Sequence, residues 1–409
     1  MKCGLLGRKL GHSYSPAIHG YLGDYSYELF EREEKELAAF FADESTFDAI
    51  NVTVPYKQTV MAWCDHLSEE ARAIGAVNTL VRKNGKLWGY NTDYYGFDAT
   101  LSKLCDVKGK KVLVLGSGGA SKPVCAAIQN RGGSAVVISR KGENNYGNLA
   151  LHYADTDVIV NTTPVGMSPH CPDSPLSLAP FEKLEAVVDI IYNPARTGLL
   201  MEAEKLGIPC VNGLYMLVAQ ARVASELFTG RKLSPALDES ITAKLAADME
   251  NILLVGMPGS GKSTVAAALA QKLRRPHYDS DEESTRQTSR TPGAIIREDG
   301  VDAFRREESR VLRELCSRSC CVISCGGGVV TRPENIPVIR QNSRVVWVQR
   351  PLEQLSTAGR PLSMGPGGVE KLYEERREAY RAASDFAVEN TGTPEETAEK
   401  VLSWLKKER

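Results

Sequence analysis

Short apolar runs recur along the first half of the chain with polar stretches of helical length between them. Residues 47–54, 112–116, 134–139, 157–161 and 186–192 read as buried strands. Such alternation of strand and helix predicts α/β layers. A second series opens at Asn251-Ile-Leu-Leu-Val255, runs directly into glycines, and continues through Cys321-Val-Ile-Ser324 and Arg344-Val-Val-Trp-Val348. A new domain begins there. Between the two series, Ser234-Pro-Ala-Leu-Asp238 followed by residues 239–249 reads as a turn and a polar helix. The chain has no internal repeat and no low-complexity tract.

Length and composition narrow this picture. The 409 residues fit two or three domains, and 42% hydrophobic with 25% charged residues is ordinary globular composition. A formal charge of −1 implies no bulk attraction to nucleic acid or to an anionic membrane, so phosphate binding must be local. No apolar run reaches the 18 or so residues that span a bilayer, and no signal peptide opens the chain, so a soluble, cytoplasmic protein is expected. The ten cysteines lack a framework spacing and read as thiols of a reducing compartment.

The sharpest local signal is Gly256-Met-Pro-Gly259-Ser260-Gly261-Lys262-Ser263, set between an apolar strand and a helical run that starts at Thr264. Glycines let successive backbone N–H groups face one concavity, and the helix N-terminus adds partial positive charge. Lys262 would reach the β- and γ-phosphates of a nucleotide triphosphate, and Ser263 would ligate Mg²⁺. Downstream, Asp279-Ser-Asp281 supplies two carboxylates at the end of a short strand-like segment: one suits the metal, its neighbour an acceptor hydroxyl.

In the first half, residues 111–115 form a strand that feeds Gly116-Ser117-Gly118-Gly119-Ala120 and then a helix, the arrangement that seats a pyrophosphate. Ser121 stands where the third glycine of the usual fingerprint would be. About 20 residues on, where an acid would select NAD, the chain has Ser139-Arg140-Lys141; two cations there favour a 2′-phosphate and hence NADP(H).

Around these motifs lie further strings in a recognisable order. His12-Ser13-Tyr14-Ser15-Pro16, Asn51-Val-Thr53-Val-Pro55-Tyr56-Lys57, Gly75-Ala-Val-Asn78-Thr79 and Asn91-Thr-Asp93 precede the nucleotide fingerprint. Asn161-Thr-Thr-Pro-Val-Gly-Met167, Asp189-Ile-Ile-Tyr192-Asn-Pro194 and Gly213-Leu-Tyr-Met-Leu-Val-Ala-Gln220 follow it. Together they resemble shikimate dehydrogenase over residues 1 to about 240. The resemblance implies that Ser13, Ser15, Thr53, Asn78, Tyr192 and Gln220 hold the substrate's hydroxyls and carboxylate, that Lys57 and Asp93 form the proton-transferring pair, and that Gly213 lies by the cofactor. A lysine ammonium suits the task, because negative charge builds on the ketone oxygen as hydride reaches the carbon.

Residues 250–409 resemble shikimate kinase through the phosphate loop, Asp279-Ser-Asp281, Phe304-Arg305-Arg306-Glu307-Glu308, Gly326-Gly327-Gly328, Gly359-Arg360-Pro361-Leu362 and Ala379-Tyr380-Arg381. This resemblance implies that Asp279 is the metal-linked carboxylate and that Asp281, Arg305, Gly327 and Arg381 grip shikimate, with Asp281 receiving the acceptor proton. Arg360 would be the lid arginine over the ATP phosphates. The segment between Arg350 and Arg360 carries few basic residues, a departure from the usual lid.

The expected architecture is therefore a two-lobed α/β dehydrogenase over residues 1–245, with a substrate lobe of 1–104 plus 213–240 and a Rossmann lobe of 105–212. A P-loop α/β domain with a central parallel sheet follows over 250–409. The implied function is NADPH reduction of 3-dehydroshikimate to shikimate, then ATP-dependent phosphorylation of the hydroxyl just made; partners are small molecules. Quinate as the acid and NAD as the carrier remain open alternatives. A non-catalytic sensor would lack Lys57, Asp93, Lys262 or Asp279, and all four are present. Cys316, Cys320, Cys321 and Cys325 lack zinc spacing and a nearby His and read as structural thiols. His12 and His19 either line the substrate mouth or pack. The pairs Arg305-Arg306 and Arg376-Arg377 lack the aromatic interleaving of a nucleic-acid patch.

Overall fold

The computed structural model describes residues 1–11, 13–168, 170–356 and 368–407; His12 and Arg360 lie outside them. By contacts the chain forms two compact units, the first comprising Met1–Pro164, Pro175–Tyr192 and Glu202–Lys244, the second Val165–Ser174, Asn193–Met201 and Leu245–Arg409.

The first unit holds two sheets. One is built from β1 (Lys2–Gly7), β2 (Ser26–Glu31), β3 (Ala49–Val52), β4 (His66–Leu67), β5 (Thr79–Lys83) and β6 (Lys86–Tyr90) in the order β2-β1-β3-β5-β6-β4. β1 runs parallel to both neighbours, while β5 pairs antiparallel with β3 and β6. The other comprises β7 (Lys111–Leu115), β8 (Ser134–Ile138), β9 (Val158–Asn161), β10 (Ala186–Asp189) and β11 (Cys210–Val211), ordered β11-β10-β9-β7-β8 and parallel throughout. The order reverses beside β7, the switch point where an open α/β sheet receives a nucleotide.

Helices Thr92–Leu104 and Leu214–Thr229 pack closely within this unit because Gly96 carries no side chain. A Cβ there would lie 2.6 Å from the Met216 carbonyl and 2.8 Å from Gln220 Cβ. That approach brings the second helix, distant in sequence, against the first. His19 packs instead of lining a mouth: it is 1% exposed, its ring stacks 4.0 Å from Tyr27, and Nδ1 is 2.7 Å from the Tyr25 hydroxyl. Burial lowers its pKa to about 3, so the ring is neutral at neutral pH.

The second unit holds β12 (Asn251–Val255), β13 (His277–Asp279), β14 (Val322–Ser324), β15 (Ser343–Gln349) and β16 (Phe386–Glu389), ordered β13-β14-β12-β15-β16 and parallel throughout. Side chains of the central β12 alternate between two cores: Ile252 and Leu254 join Val265, Leu269 and Val401, while Leu253 and Val255 join Leu312, Ile323 and Val345. Each such burial is worth about 1.5–3 kcal/mol. A strand so enclosed reads as an unbroken apolar run, and its C-terminal end opens into the phosphate loop. Cys316, Cys321 and Cys325 are buried free thiols, and Cys320 is exposed. Among the described residues, no helix is long and apolar enough to cross a membrane.

Candidate active sites

In the first unit, strand β3 stops at Val52 because Thr53 opens a turn, its carbonyl accepting from Tyr56 N–H. The turn delivers Lys57 to the first turn of helix Thr92–Leu104, where Nζ lies 2.7 Å from Asp93 Oδ2. Asn91 fixes that helix end: its side-chain oxygen accepts from Tyr94 N–H and its amide donates to the Ala76 carbonyl. Asn78 Oδ1 accepts from Thr92 N–H at 2.6 Å, and Thr92 Oγ1 donates to Gln220 Oε1 at 3.1 Å. One helix N-terminus thus gathers Lys57, Asp93, Asn78 and Gln220. Ser13 and Ser15 bracket Tyr14, whose ring meets Tyr192 edge to face at 6.1 Å. Burial raises the pKa of Tyr192, keeping its hydroxyl protonated as a donor. The arrangement combines an ammonium with several hydroxyl and amide donors, suited to a small polyhydroxylated acid whose carbonyl is being reduced.

Beyond β7, Gly116 has φ of 101°, and a Cβ there would meet Thr163 Cγ2 at 2.9 Å. Ser117 follows it. Gly118 and Gly119 face open space, so the turn presents bare backbone to a pyrophosphate. Ala120 precedes helix Ser121–Asn130, and Ser121 Oγ donates to the Gly118 carbonyl at 2.7 Å. The hydroxyl therefore braces the turn where a third glycine was expected. At the end of β8, Ser139 Oγ donates to the Lys141 carbonyl, while the Arg140 and Lys141 side chains are exposed. Open glycines at one strand end and cations at the next fit a phosphorylated dinucleotide. Gly213 stands at the head of helix Leu214–Thr229, where a Cβ would lie 1.9 Å from the Ile190 carbonyl; glycine is required there by space alone.

In the second unit, Gly256, Gly259 and Gly261 all have positive φ, which lets the loop curl around the head of helix Lys262–Leu273. Lys262 is 7% exposed and donates to the carbonyls of Gly256 and Met257. Thr264 Oγ1 donates to the Gly261 carbonyl, and Asn390, unforeseen from the sequence, donates from its amide to the Ser260 carbonyl at 2.7 Å. Ser263 Oγ donates to Asp279 Oδ2 at 2.7 Å. A hydroxyl and a carboxylate held together beside a phosphate loop are the donor set for a hard divalent cation such as Mg²⁺.

Beside the loop opens a cavity of about 560 Å³, floored by Asp281, Arg305, Glu308 and Gly327. Desolvation, then the charges of Asp279 and Glu308, push the Asp281 carboxyl up to about 6, against the opposing pull of Lys262 and Arg305. Burial also raises Glu308, which is 3% exposed and pairs with Arg305. The Gly326-Gly-Gly328 run is small because the site is crowded: a Cβ on Gly328 would lie 1.8 Å from Arg305 Nη1.

One expectation needs correction. Arg381 is not at this cavity; its side chain is 68% exposed and pairs with Glu378. Arg376 occupies the place, 5% exposed, lining the cavity and donating from Nη1 to the Gly327 carbonyl at 3.0 Å, with the Tyr380 hydroxyl donating to the same oxygen. Helix Gly368–Ala383 buries Arg376, Tyr380 and Ala383, a spacing of four and three, and five residues beyond Arg376 the chain has turned about 140° away. That periodicity was the available signal.

The fold and these sites define a two-lobed dinucleotide-dependent dehydrogenase joined to a P-loop kinase. Comparison with known proteins agrees with this. Residues 5–80 match the family model for the shikimate dehydrogenase substrate binding domain, and residues 258–406 that for shikimate kinase. The NADP(+) shikimate dehydrogenase of Caldanaerobacter subterraneus subsp. tengcongensis is 39% identical over 259 residues, 56% of this chain and 91% of that protein. That of Methanococcus maripaludis strain C7 is 38% identical over 256 residues, 56% and 91%. Among solved structures, a chorismate mutase/shikimate 5-dehydrogenase fusion protein from Clostridium acetobutylicum is 35% identical with a TM-score of 0.56, covering 59% of this chain and 96% of that one. Shikimate 5-dehydrogenase from Thermus thermophilus, in complex with NADP(H) and shikimate, is 30% identical with a TM-score of 0.54, covering 60% and 99%. The chain belongs to the shikimate dehydrogenase family and carries a shikimate kinase domain in its second unit.

Proposed function

We propose that this chain is a bifunctional enzyme that reduces 3-dehydroshikimate to shikimate with NADPH and phosphorylates shikimate to shikimate 3-phosphate with ATP and Mg²⁺. The observation that carries the reading is that each unit sets one proton-handling group among donors suited to a hydroxylated carboxylic acid. In the first unit that group is Lys57, held by Asp93 beside Asn78 and Gln220. In the second it is Asp281, which lines one cavity with Lys262, Arg305 and Arg376.

NADPH, when bound, supplies the hydride. Lys57 stabilises the charge growing on the ketone oxygen and passes it a proton from Nζ, while Asp93 keeps that nitrogen on its line. Ser13, Ser15, Thr53, Tyr192, Asn78 and Gln220 hold the remaining oxygens and set the ring's orientation. Arg140 and Lys141 select the 2′-phosphate.

ATP, when bound, would supply the phosphoryl group, and Ser263 and Asp279 would hold the Mg²⁺ that offsets its charge. Arg305 and Arg376 grip the acid's carboxylate, and Asp281 takes the proton of the attacking hydroxyl. Lys262, now spent on loop carbonyls, would turn to the phosphates. The free thiols suit the cytoplasm as the working compartment. Steady-state assays of the purified chain with each acid, with NADPH against NADH, and with MgATP test the reading. Faster turnover of quinate, or of NADH, would replace the first half of it.

A further inference from the structure

Strands β13 and β14 lie in parallel register with Asp279 beside Ser324. Side chains of a strand return to one face every second residue, so His277 shares the face of Asp279. Three groups meet there: Ser324 Oγ is 2.6 Å from Asp279 Oδ2 and 3.0 Å from His277 Nε2. The proton order follows from counting. Asp279 Oδ1 accepts from the N–H groups of Asp281 and Glu282, and Oδ2 accepts from Ser263 and Ser324. An ionised carboxylate only accepts, so Ser324 spends its single proton on Asp279. Its oxygen then accepts, and His277 donates from Nε2.

Neither His277 nor Ser324 lines the cavity. Their effect is on the carboxylate. With both oxygens of Asp279 held, one by two backbone N–H groups and the other by two hydroxyls, the carboxylate has one rotamer, and Ser263 keeps its oxygen lone pairs available for a cation. We propose that Ser324, oriented by His277, is a positioning residue for Asp279 and so sets the affinity of the kinase unit for its divalent cation. The proposal rests on the kinase reading. It adds a hydrogen-bond relay, His277 to Ser324 to Asp279, that acts on the cation and leaves acid binding alone.

The test uses the full chain, Mn²⁺ with ADP as the probe, and electron paramagnetic resonance of the free and bound ion. No turnover is needed, so failure of the kinase reading, seen as no phosphoryl transfer by the wild type, is a separate result. Ser324→Ala is expected to weaken Mn²⁺ binding about tenfold, the lower range for loss of an outer partner of a metal ligand. His277→Leu should weaken it about three- to tenfold, and His277→Gln, which keeps an N–H donor, should recover most of that. Because His277 acts through Ser324, His277→Leu should have no further effect in the Ser324→Ala background. The KM for shikimate and the melting temperature should stay near wild type in all of them. Wild-type Mn²⁺ affinity in Ser324→Ala, or an equal loss from His277→Leu in both backgrounds, overturns the relay. Should Ser324→Ala not fold, the contrast between His277→Leu and His277→Gln decides alone: equal affinities overturn it.

Discussion

Lys57 Nζ and Asp93 Oδ2 lie 2.7 Å apart, one carried by the turn after β3 and the other by the first turn of a helix 36 residues later. The pair suits a division of two roles, Lys57 giving a proton and Asp93 aiming the giver. Lys57→Ala is expected to lower kcat for 3-dehydroshikimate reduction about 10²–10⁴-fold, the ordinary worth of a general acid. Lys57→Arg should stay low despite keeping the charge, since a guanidinium does not release its proton. Asp93→Asn should lose about 10- to 100-fold, as for a charged hydrogen bond. Stopped-flow measurement of NADPH oxidation separates the three.

Arg376 and Arg381 sit on one helix and face different ways. Arg376→Ala should raise the KM for shikimate about 10- to 100-fold, from loss of a charged hydrogen bond of about 1.5–3 kcal/mol. Arg381→Ala, losing only an exposed pair with Glu378, should change it less than about twofold. Kinase assays at varied shikimate decide which arginine belongs to the acid.

The Asp281 carboxyl, raised from 3.8 to about 6, predicts kinase activity that falls as pH drops through 6, because the protonated acid cannot take the proton of the attacking hydroxyl. The sign for stability is the opposite. A carboxyl whose folded pKa lies above its unfolded value favours the fold when protonated, so stability is lost as pH rises from about 3.8 to about 6. Asp281→Asn should therefore abolish phosphorylation yet stabilise the kinase unit at pH 7 by about 1–2 kcal/mol, a figure reduced for partial solvent screening. Thermal unfolding at pH 5 and pH 7 checks the sign.

Arg140 and Lys141 are exposed at the end of β8. Replacing both with Ser should raise the KM for NADPH about tenfold or more and leave that for NADH nearly unchanged, as loss of charged contacts to a 2′-phosphate requires. Equal losses for both carriers would move the pair out of the cofactor site.

Much of this was legible in the sequence because it is local. The run Asn251–Val255 coincides with β12, and β7 to β10 fall within a few residues of the apolar runs that announced them. Apolar strands buried on both faces carry their own signal. The β5–β6 hairpin announces itself only through its turn, where Asn84 and Gly85, with φ of 53° and 71°, form the Asn-Gly pair most typical of a tight hairpin. Its strands alternate with polar residues and offer no apolar run. The misplacement of Arg381 has the same root: a short motif fixes identity, whereas facing depends on helical phase, which here required noticing Arg376, Tyr380 and Ala383 together. Asn390, Ser324 and His277 were invisible for another reason. Ser324 meets His277 and Asp279 from a strand 45 or more residues further on, and Asn390 reaches Ser260 across 130 residues, links that no local string encodes.

The central claim, one chain with two separate chemistries on the same acid, is tested most directly by following NADPH oxidation and ADP release together in the purified chain and in Lys57→Ala and Lys262→Ala. Supplied with 3-dehydroshikimate, NADPH and MgATP, the wild type should show both signals. Lys57→Ala should lose both yet regain ADP release when shikimate is added, and Lys262→Ala should oxidise NADPH without releasing ADP. Failure of shikimate to restore ADP release in Lys57→Ala, or loss of NADPH oxidation in Lys262→Ala, contradicts the account.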